Sequence, residues 1–496
     1  MRKLNYSALK ELDYQGYLLE NAPERILQFG EGNFLRAFVD YFIDVMNEKV
    51  GFNSKVMICQ PIENGLSNMI NAQEGLYTLY LRGVENGKAV KEKRLISCIK
   101  RCINPYLEYD MYIECAKNPD LRYIVCNTTE AGIVFDPRCK QKDRPASSYP
   151  GKLTQFMHER FCEFGKQEGK GFVILSCELI DDNGKELKKC VLQYANQWEL
   201  GDEFIRWIEE ENIFCSTLVD RIVSGYPRTE ADQLNMENGY EDHLINTGEV
   251  FGLWVIEGPA SLKKELPFEE AGLPVIITDD HKLYKQRKVR ILNGAHTSMV
   301  LGAYLAGQDK VRECMEDEVI KGFMIQTVFE EIIPTLSLPE EELKIFALAV
   351  IERFMNPFID HSLLAIALNS TAKWKARVLP SLKGYVEQYG ILPKCIVASL
   401  AFYIAFYSAG EARKDGIFGI RKMDEYQIND DINVLEFFTK HKGIDENSMA
   451  KAVLSNQELW GEDLAEIPHL EKEITWLLQE IKEKGSYAVM RDCLER

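Results

Sequence analysis

The stretch RILQFGEGNFLRAF, residues 25–38, constrains the fold of this chain more than any other. An apolar run leads into Gly30-Glu31-Gly32, and large apolar residues then recur at helical spacing up to about residue 50. A strand that turns into a helix through two glycines can bring backbone N–H groups close to a phosphate. The third glycine of the usual dinucleotide-binding fingerprint is absent, because Leu35 stands in its place. The stretch therefore predicts either a phosphate-binding turn or only a tight turn.

The rest of the N-terminal half favours a doubly wound, mostly parallel α/β sheet. Asn86-Gly87 lies between two strand-like runs and indicates a hairpin. Strand, Gly-x-Gly and helix followed by a second strand form the first unit of a Rossmann domain, which we predict over 1–280 with additional strands. Further apolar runs, which alternate with helical patterns as in a sheet covered on both faces, occur at 54–60, 121–129 and 171–178.

The residues around the glycine turn are the candidate cofactor ligands. Helix N-terminal N–H groups stabilise an anion, and Asn33 and Arg36 could add phosphate contacts. The second strand ends in Gln60-Pro61 and not in the acid that usually binds the adenosine ribose, so these residues leave NAD and NADP open. The candidate cofactor-binding residues are Phe29, Gly30, Glu31, Gly32, Asn33, Phe34, Leu35, Arg36 and Gln60.

After about residue 280 helical periodicity replaces the strand pattern, so we predict a mostly α-helical domain over 281–496. A ligand site between the two domains is the default expectation. In RKVRILNGAHTSMV (287–300), a continuous helix would place Lys288, Asn293 and His296 on one broad face. Gly294 breaks a local rule there, because glycine inside a helix costs about 1 kcal/mol relative to alanine. Such exceptions occur at functional sites, but Asn293-Gly294 could equally end a helix.

A lysine, an asparagine and a histidine that converge on one point suit the reduction of a carbonyl without a metal. The Lys288 ammonium can donate a proton to the oxygen, the Asn293 amide can donate a hydrogen bond, and the His296 imidazole can orient either group. Arg287 and Arg290 flank the lysine, and their positive charge would lower its pKa. No metal site is expected, because the seven histidines are scattered and the thirteen cysteines include no C-x-x-C pair.

Composition excludes several classes of partner. The net charge of −18 argues against nucleic acid and anionic membrane surfaces, although an anionic substrate needs only a local cationic pocket. No run of about 18 apolar residues is present, and the N-terminal segment lacks the apolar core of a signal peptide. Together with cysteines that we expect to be buried and reduced, this predicts a cytoplasmic protein that acts on a small molecule. Nothing in the sequence indicates the oligomeric state.

The motifs FGEGNFLRAF and KVRILNGAH together resemble the polyol-specific long-chain dehydrogenase/reductase family, which includes the mannitol dehydrogenases. The resemblance spans nearly the whole chain, and STLVDRIVSGYPR (216–228) and NPFIDH (356–361) are further landmarks. It implies a Rossmann domain followed by a helical domain, an NAD cofactor, and metal-free catalysis by a Lys-x4-Asn-x2-His motif. Lys288, Asn293 and His296 match that motif, and Asn183 in SCELIDDNG matches a second asparagine thought to help hold the carbonyl oxygen.

Within the family, NTTEAGI, CELIDDNGKEL and FCSTLVDRIVSGYPR resemble the members that interconvert tagaturonate and altronate with NAD(H) in hexuronate breakdown. Polyol-oxidising members typically have an arginine in place of Ala365 and Asp-Gly in place of Leu368-Asn369, so mannitol is a poor candidate substrate. Lys373 still matches the family lysine. With Arg377, four residues on, it could bind a substrate carboxylate, unless the two lie on an exposed helix face.

Three alternatives to this function remain open. The resemblance also fits reduction of the epimeric fructuronate, and composition does not separate the two sugar acids. Another polyol dehydrogenase, such as a mannitol-1-phosphate enzyme, is a more distant alternative. A nucleotide-binding regulatory protein without activity is a third, but it would not need Lys288, Asn293 and His296 together.

Overall fold

The computed structural model describes residues 2–129, 131–165, 167–414, 416–421 and 424–495. The chain divides into two compact units. The N-terminal unit comprises Met1–Arg82 and Val90–His281, and the C-terminal unit comprises Gly83–Ala89 and Lys282–Arg496. The sequence analysis did not predict that Gly83–Ala89 groups with the C-terminal unit.

The N-terminal unit is built on an eight-stranded sheet. Its strands are β2 (Glu24–Phe29), β3 (Lys55–Cys59), β6 (Ile99–Ile103), β7 (Tyr123–Cys126), β8 (Val173–Ser176), β9 (Ile213–Asp220), β13 (Leu253–Glu257) and β14 (Val275–Thr278). The order is β14-β13-β9-β8-β7-β2-β3-β6, and only β13 and β9 pair antiparallel. Six neighbours, β6-β3-β2-β7-β8-β9, therefore have the 3-2-1-4-5-6 order of a Rossmann sheet, which confirms the predicted fold class.

Side chains of successive residues in this sheet enter two separate cores, one on each face. Ile26 belongs to one apolar cluster, whereas Leu27 and Phe29 belong to the other. In the same way, Val56 and Ile58 lie on the first face and Met57 lies on the second. The sheet is thus buried on both faces, as continuous apolar strands predict.

Two smaller sheets and a hairpin complete the β-structure of this half of the chain. The pair is β1 (Arg2–Lys3) with β11 (Tyr240–Glu241), and the four-stranded sheet contains β4 (Tyr77–Glu85), β5 (Lys88–Ile96), β10 (Val223–Gly225) and β12 (Asn246–Glu249). Asn86 and Gly87, between β4 and β5, both have positive φ angles, of 51° and 72°. Two positive φ angles are what a two-residue hairpin turn requires, so the predicted hairpin is confirmed.

Helices cover the sheet of the N-terminal unit. They are α1 (Tyr6–Glu11), α2 (Asn33–Ala37), α3 (Val39–Val50), α4 (Ser67–Ala72), α5 (Tyr109–Glu114), α6 (Tyr149–Phe164), α7 (Asn183–Gln197), α8 (Asp202–Glu210), α9 (Ala231–Asn238) and α10 (Leu262–Glu265). The continuous helix expected up to residue 50 is wrong at Phe38, which leaves helical geometry with φ −124° and ψ −74°. Its ring is fully buried against Phe42 and Trp254, so tertiary packing overrides the local helical pattern.

The described part of the C-terminal unit is mostly helical, as predicted. Its α-helices are α11 (Lys282–Arg287), α12 (Gly294–Ala306), α13 (Val311–Glu316), α14 (Glu318–Gln326), α15 (Glu340–Phe354), α16 (Leu363–Ile366), α17 (Ser370–Arg377), α18 (Leu379–Tyr389), α19 (Lys394–Ser408), α20 (Ile432–Lys440), α21 (Glu446–Leu454), α22 (Gln457–Trp460), α23 (Leu470–Lys484) and α24 (Ser486–Glu495). An antiparallel sheet, which the sequence did not indicate, contains β15 (Glu411–Arg413), β16 (Gly416–Arg421) and β17 (Asp424–Ile428). Over the described ranges, no helix combines the length and the apolar character needed to cross a membrane.

All thirteen cysteines are free thiols, and Cys162 alone is exposed. Burial raises the pKa of the Cys98 thiol far above its ordinary value, and the same holds for Cys126 and Cys177. A protonated buried thiol behaves as a small apolar side chain. The expectation of buried cysteines is therefore confirmed for all of them except Cys162.

A buried acid is linked to the glycine turn through the side chain of Gln28. Asp40 on α3 is fully buried, and its Oδ2 accepts a hydrogen bond from Gln28 Nε2 at 3.3 Å. Gln28 Nε2 also donates to the carbonyl oxygen of Gly30 at 3.0 Å. Burial raises the pKa of Asp40 to about 7, against an ordinary value of 3.8, because little solvent is left to stabilise its charge.

Asp40 should make the stability of the fold depend on pH. Because its folded-state pKa exceeds its unfolded value, its contribution is complete below about pH 4 and is lost as the pH rises to about 7. The loss is at most about 1.4 kcal/mol per pH unit. Asp40→Asn has no proton to lose, so its stability relative to wild type should increase between about pH 4 and about pH 7 in urea unfolding. A pH-independent difference would show that Asp40 is ionised in the fold.

Candidate functional site

The glycine turn after β2 needs a glycine at one position for purely structural reasons. Gly30 has a φ angle of +120°, which residues with a side chain rarely adopt. A β-carbon there would lie 3.4 Å from Leu35 Cδ1 and 3.7 Å from the carbonyl oxygen of Asn127. Leu35, which replaces the third glycine of the fingerprint, therefore packs against the turn itself.

Gly32 differs from Gly30, because neither its backbone nor its packing requires glycine. Its φ angle of −65° suits any residue, and it is the N-cap of α2. A β-carbon at this position would meet no atom of the described residues within 4 Å. The open space in front of Gly32 fits a ligand that approaches the backbone at the start of a helix.

A cavity of about 850 Å³ opens at this turn, at the carboxyl ends of the parallel strands. Its size lies in the range of small-molecule and cofactor sites. Gly30, Glu31 and Gly32 line one wall, and burial raises the pKa of the Glu31 carboxyl. The other walls come from the segments after β3 and β7 and from the start of α6, which were not predicted to bind the cofactor: Pro61, Ile62, Asn127, Thr128, Thr129, Ala131, Gly132, Val134, Phe135, Asp136, Pro137, Arg138, Ser147, Ser148, Tyr149 and Lys152.

Arg36 does not line this cavity, and its expected phosphate contact stays a prediction. Its guanidinium is buried and donates to the carbonyl oxygens of Glu31 at 3.1 Å and Leu244 at 2.8 Å. It also donates to Asn33 Oδ1 at 2.7 Å and lies over the ring of Tyr77. Arg36 and Asn33 thus bind each other and hold the turn in place. Phe29, Phe34 and Leu35, also expected at the cofactor, pack inside this unit.

The side-chain amide of Gln60 is likewise hydrogen-bonded within the protein. Its Nε2 donates to the carbonyl oxygens of Ile62 at 2.8 Å and Glu63 at 3.0 Å, and its Oε1 accepts from the Ser67 N–H at 3.0 Å. These bonds fix the loop that ends in α4. Gln60 therefore shapes the cavity wall at Ile62, and its direct contact with the cofactor stays a prediction.

The side chain of Asn183, which the sequence predicts as a donor to the substrate oxygen, is bonded within the protein, and its catalytic role stays a prediction. Both of its amide hydrogens are used, because Nδ2 donates to the carbonyl oxygens of Glu178 at 2.9 Å and Thr217 at 3.0 Å. Its Oδ1 accepts from the N–H groups of Thr217 and Gly184, both at 2.9 Å. The buried side chain of Asn183 therefore joins the start of α7 to β9. The motif fixed its position but not where its hydrogens point.

Beside Asn183, three side chains with metal-binding chemistry lie together. Asp182, Glu257 and His281 place one ligand atom each within 4.8 Å of the others. The ammonium of Lys185 already lies 2.9 Å from Asp182 Oδ1 and 2.8 Å from Glu257 Oε1. His281 Nδ1 lies 2.5 Å from the other oxygen of Glu257. This cluster is an ion-pair network in which a lysine supplies the positive charge between the carboxylates.

In the C-terminal unit, the Lys-x4-Asn-x2-His segment is helical but not uniformly α-helical. Lys288–Asn293 form a π-helical turn, and α12 follows directly from Gly294, whose φ of −65° and ψ of −44° are helical. The alternative that Asn293-Gly294 ends a helix is therefore wrong. A π-turn changes the angular spacing of Lys288 and Asn293, and such turns occur often at functional sites.

Close packing explains the glycine at position 294. A β-carbon there would lie 3.3 Å from the carbonyl oxygen of Arg377 and 3.5 Å from Ile332 Cδ1. The lack of a side chain lets α12 approach the end of α17. The cost of glycine in a helix is thus offset by close packing, which a side chain at this position would make tighter than usual.

His296 on α12 packs against two other rings and lies near several cations of the C-terminal unit. Its ring stacks on Phe354 with centroids 3.9 Å apart, and the ring of His361 meets it edge-on at 5.4 Å. Burial, followed by His361 and Arg353, lowers the pKa of His296 well below 6.5, so the imidazole is neutral. Its buried Nε2 has no hydrogen-bond partner in the part of the chain that the structure describes.

The two arginines that flank Lys288 are not equivalent. Arg287 Nη1 lies 2.6 Å from Glu342 Oε1, so a carboxylate offsets its charge. Arg290 is buried and donates to the hydroxyls of Ser381 at 2.6 Å and Thr335 at 3.1 Å. Burial lowers the pKa of Arg290 to about 10.

Lys373 and Arg377 do not form an exposed helix face, so that alternative is wrong. Both are partly buried, and burial lowers the pKa of each. Lys373 Nζ donates to the carbonyl oxygen of Ile366 at 2.8 Å, and Arg377 Nη1 donates to Thr297 Oγ1 at 3.4 Å. Both cations also lower the pKa of His296. They therefore belong to the same site as His296.

A Rossmann-type unit with a glycine-turn cavity and a helical unit with a half-buried Lys-Asn-His motif define a two-domain dehydrogenase. The sequence profile of the Mannitol dehydrogenase Rossmann domain matches residues 24–270, and that of the Mannitol dehydrogenase C-terminal domain matches residues 280–482. The chain belongs to the mannitol dehydrogenase family. It is similar to the altronate oxidoreductase of Yersinia enterocolitica, with 45% identity over 489 residues that cover 97% of this chain and 99% of the relative.

Two solved structures share the fold. A D-sorbitol dehydrogenase in substrate-free form has a TM-score of 0.82 at 22% identity and covers 98% of this chain and 100% of its own. Pseudomonas fluorescens mannitol 2-dehydrogenase, in a ternary complex with NAD and D-mannitol, has a TM-score of 0.64 at 21% identity and covers 100% of both chains. At these identities the likeness establishes the fold of the chain.

The two glycines of the turn should respond differently to substitution. Gly32→Val should fold with an unchanged melting temperature, because its β-carbon meets no atom, but should weaken NADH binding at least about tenfold by filling the space in front of the backbone. Gly30→Ala should lower the melting temperature, because its φ of +120° strains any side chain. Calorimetry with NADH and thermal melts measure both. Unchanged NADH affinity in folded Gly32→Val would mean that the turn does not hold the cofactor.

Proposed function

We propose that the chain is an NAD-dependent tagaturonate reductase, also called altronate oxidoreductase, which interconverts tagaturonate and altronate. The observation that carries this proposal is the group of cations around His296 in a chain of net charge −18. A strongly acidic protein repels an anionic substrate unless a local site attracts it. The name of the Yersinia enterocolitica relative, which is 45% identical, supports a sugar acid as that substrate.

NAD is the cofactor that best fits the N-terminal unit. The cavity at Gly30 and Gly32 has the size and the helix N-terminus that a dinucleotide needs, and the mannitol 2-dehydrogenase with the same fold binds NAD. When bound, reduced NAD supplies the hydride that adds to the carbonyl carbon. The protein must then provide a proton for the oxygen and must hold the substrate.

The helical unit offers side chains for these tasks. We assign proton donation to the Lys288 ammonium, which gives its proton to the substrate oxygen as negative charge develops there. Asn293 donates a hydrogen bond to the same oxygen. The neutral His296 imidazole can accept a hydrogen bond from the ammonium through Nε2, and so orient it. No step of this scheme requires a metal.

Lys373 and Arg377 are the proposed ligands of the substrate carboxylate. Arg377 has a planar guanidinium that can bind both carboxylate oxygens, whereas Lys373 supplies a point charge. The partial burial of both strengthens a charged interaction, because less water screens it. A fructuronate reductase would need the same carboxylate site, so it remains the second candidate.

The buried thiols support a setting for this function. Thirteen free cysteines suit the reducing cytoplasm, where hexuronates would be broken down. The proposed partner is therefore a small sugar acid in the cytoplasm.

A substrate panel tests the proposed function. NADH consumption should be fastest with tagaturonate, slower with fructuronate and slowest with the neutral fructose. Lys288→Ala should retain less than about a tenth of wild-type turnover but normal NADH affinity, because lysine acts on the substrate oxygen. Fastest turnover of fructuronate would favour the epimeric function, and absence of turnover with every sugar would favour an inactive nucleotide-binding protein.

Arg377→Ala tests the carboxylate site. The variant should lose about 2–4 kcal/mol of transition-state binding for tagaturonate, the range for truncating one partner of a buried charge pair, and much less for a neutral ketohexose. Lys375→Ala is the matched control, because it removes a cation from the same helix. The ammonium of Lys375 lies near Gly461 and not near His296. Values of kcat/KM for both sugars measure the losses. Equal losses for the two sugars would mean that Arg377 is structural.

A further inference from the structure

His361 is a half-buried histidine next to the proposed substrate site that has no assigned role. It lies between α15 and α16, where its carbonyl oxygen accepts a hydrogen bond from the Val311 N–H at 3.0 Å. This bond fixes the backbone. The ring meets that of His296 edge-on, with an interplanar angle of 85°. The ring is therefore held within contact distance of a residue of the catalytic motif.

Positive groups surround His361. Burial, then Arg353 and Lys373, lower its pKa, and His361 in turn lowers that of His296. No carboxylate is among the groups that act most strongly on either imidazole. Arg353, Lys373 and Arg377 thus concentrate positive charge around the two imidazoles in one part of the C-terminal unit.

The acid that adjoins His361 in sequence and the acid that acts on Lys373 are both bonded to other groups. Asp360 precedes His361 but bonds to Lys310 at 2.7 Å and to Arg312 at 3.1 Å. Asp430 raises the pKa of Lys373, yet its Oδ2 accepts hydrogen bonds from the Thr371 N–H and hydroxyl and from the Tyr407 hydroxyl. These bonds hold the start of α17 in place. Because both carboxylates are bonded to other groups, the cations around His361 could pair with a bound anion.

The His361 ring also has hydrogen-bonding capacity left. Its nitrogens make no hydrogen bond within the described part of the chain, whereas His441, another partly buried histidine of this unit, bonds through Nδ1 to the Phe437 carbonyl oxygen at 2.9 Å. A ring that is fixed by its backbone and by His296 but has no bonded nitrogen is suited to bind a ligand.

We propose that His361 is a specificity-determining residue, whose ring donates a hydrogen bond to the carboxylate of the sugar-acid substrate beside Lys373 and Arg377. This inference rests on the proposed function. A neutral sugar in the same place would leave these partly buried cations without an anion, and unpaired polar groups make a site reject the analogue that lacks the partner. The site would therefore select sugar acids over neutral sugars by charge.

His361→Gln tests the assignment in the full-length protein. The KM for tagaturonate and the inhibition constant of altronate should rise at least about tenfold, whereas kcat should change less than about threefold. The inhibition constant of altritol, the neutral polyol that corresponds to altronate, should not change, nor should NADH affinity. His441→Gln, the same substitution at a histidine outside the cluster, should leave all values unchanged. His361→Lys supplies another side chain that can donate a hydrogen bond to a carboxylate and should recover most of the affinity for altronate.

Three results would overturn this inference. Equal weakening of altronate and altritol would make His361 structural, and a fall in kcat alone would give it a part in the chemistry. Unchanged altronate affinity in a folded His361→Gln would place the carboxylate elsewhere, and His361→Lys decides the matter if the glutamine variant does not fold. A wild type that reduces no sugar acid overturns the proposed function itself, whereas an active wild type with an unaffected His361→Gln overturns this inference alone.

Discussion

The contact between Gly294 and the carbonyl oxygen of Arg377 determines the geometry of the helical unit. Because residue 294 has no side chain, α12 can approach the end of α17 closely. A β-carbon at residue 294 would lie only 3.3 Å from the carbonyl oxygen of Arg377. His296 on α12 then comes close to Lys373 and Arg377 on α17, and the Arg377–Thr297 hydrogen bond joins the two helices directly. A segment with poor helix propensity is thus retained because its packing creates the site.

Positive charges are concentrated around His296, whereas the whole chain has a net charge of −18. Groups that would be solvated in most proteins are here partly buried, and burial lowers the pKa values of His296, Lys373 and Arg377. Burying like charges together opposes folding, so the fold must hold them by other contacts, such as the stacking of His296 on Phe354. A bound anion would relieve this repulsion, so substrate binding and local stability should be coupled.

The sequence predicted those features that depend on local pattern. The Rossmann order, the Asn86-Gly87 hairpin and the glycine turn follow from periodicity and from turn chemistry. Roles that depend on distant partners could not be predicted: Arg36 is held by Leu244, and Asn183 is held by Thr217. The π-turn at 288–293 and the break at Phe38 also arise from tertiary packing, which overrides helical periodicity. In the cavity, only the glycine turn carried a signal strong enough to identify its residues.

The hairpin tip Gly83–Ala89 groups with the C-terminal unit although the strands that carry it begin and end in the N-terminal half of the chain. The Gly87 N–H donates to Glu352 Oε1, a residue 265 positions later. On the ribosome, this tip is therefore made long before the helices that it joins, and its native contacts wait until most of the chain has emerged. A fragment that begins at Lys282 would lack a segment of its own fold, so the two units are not separable by a single cut.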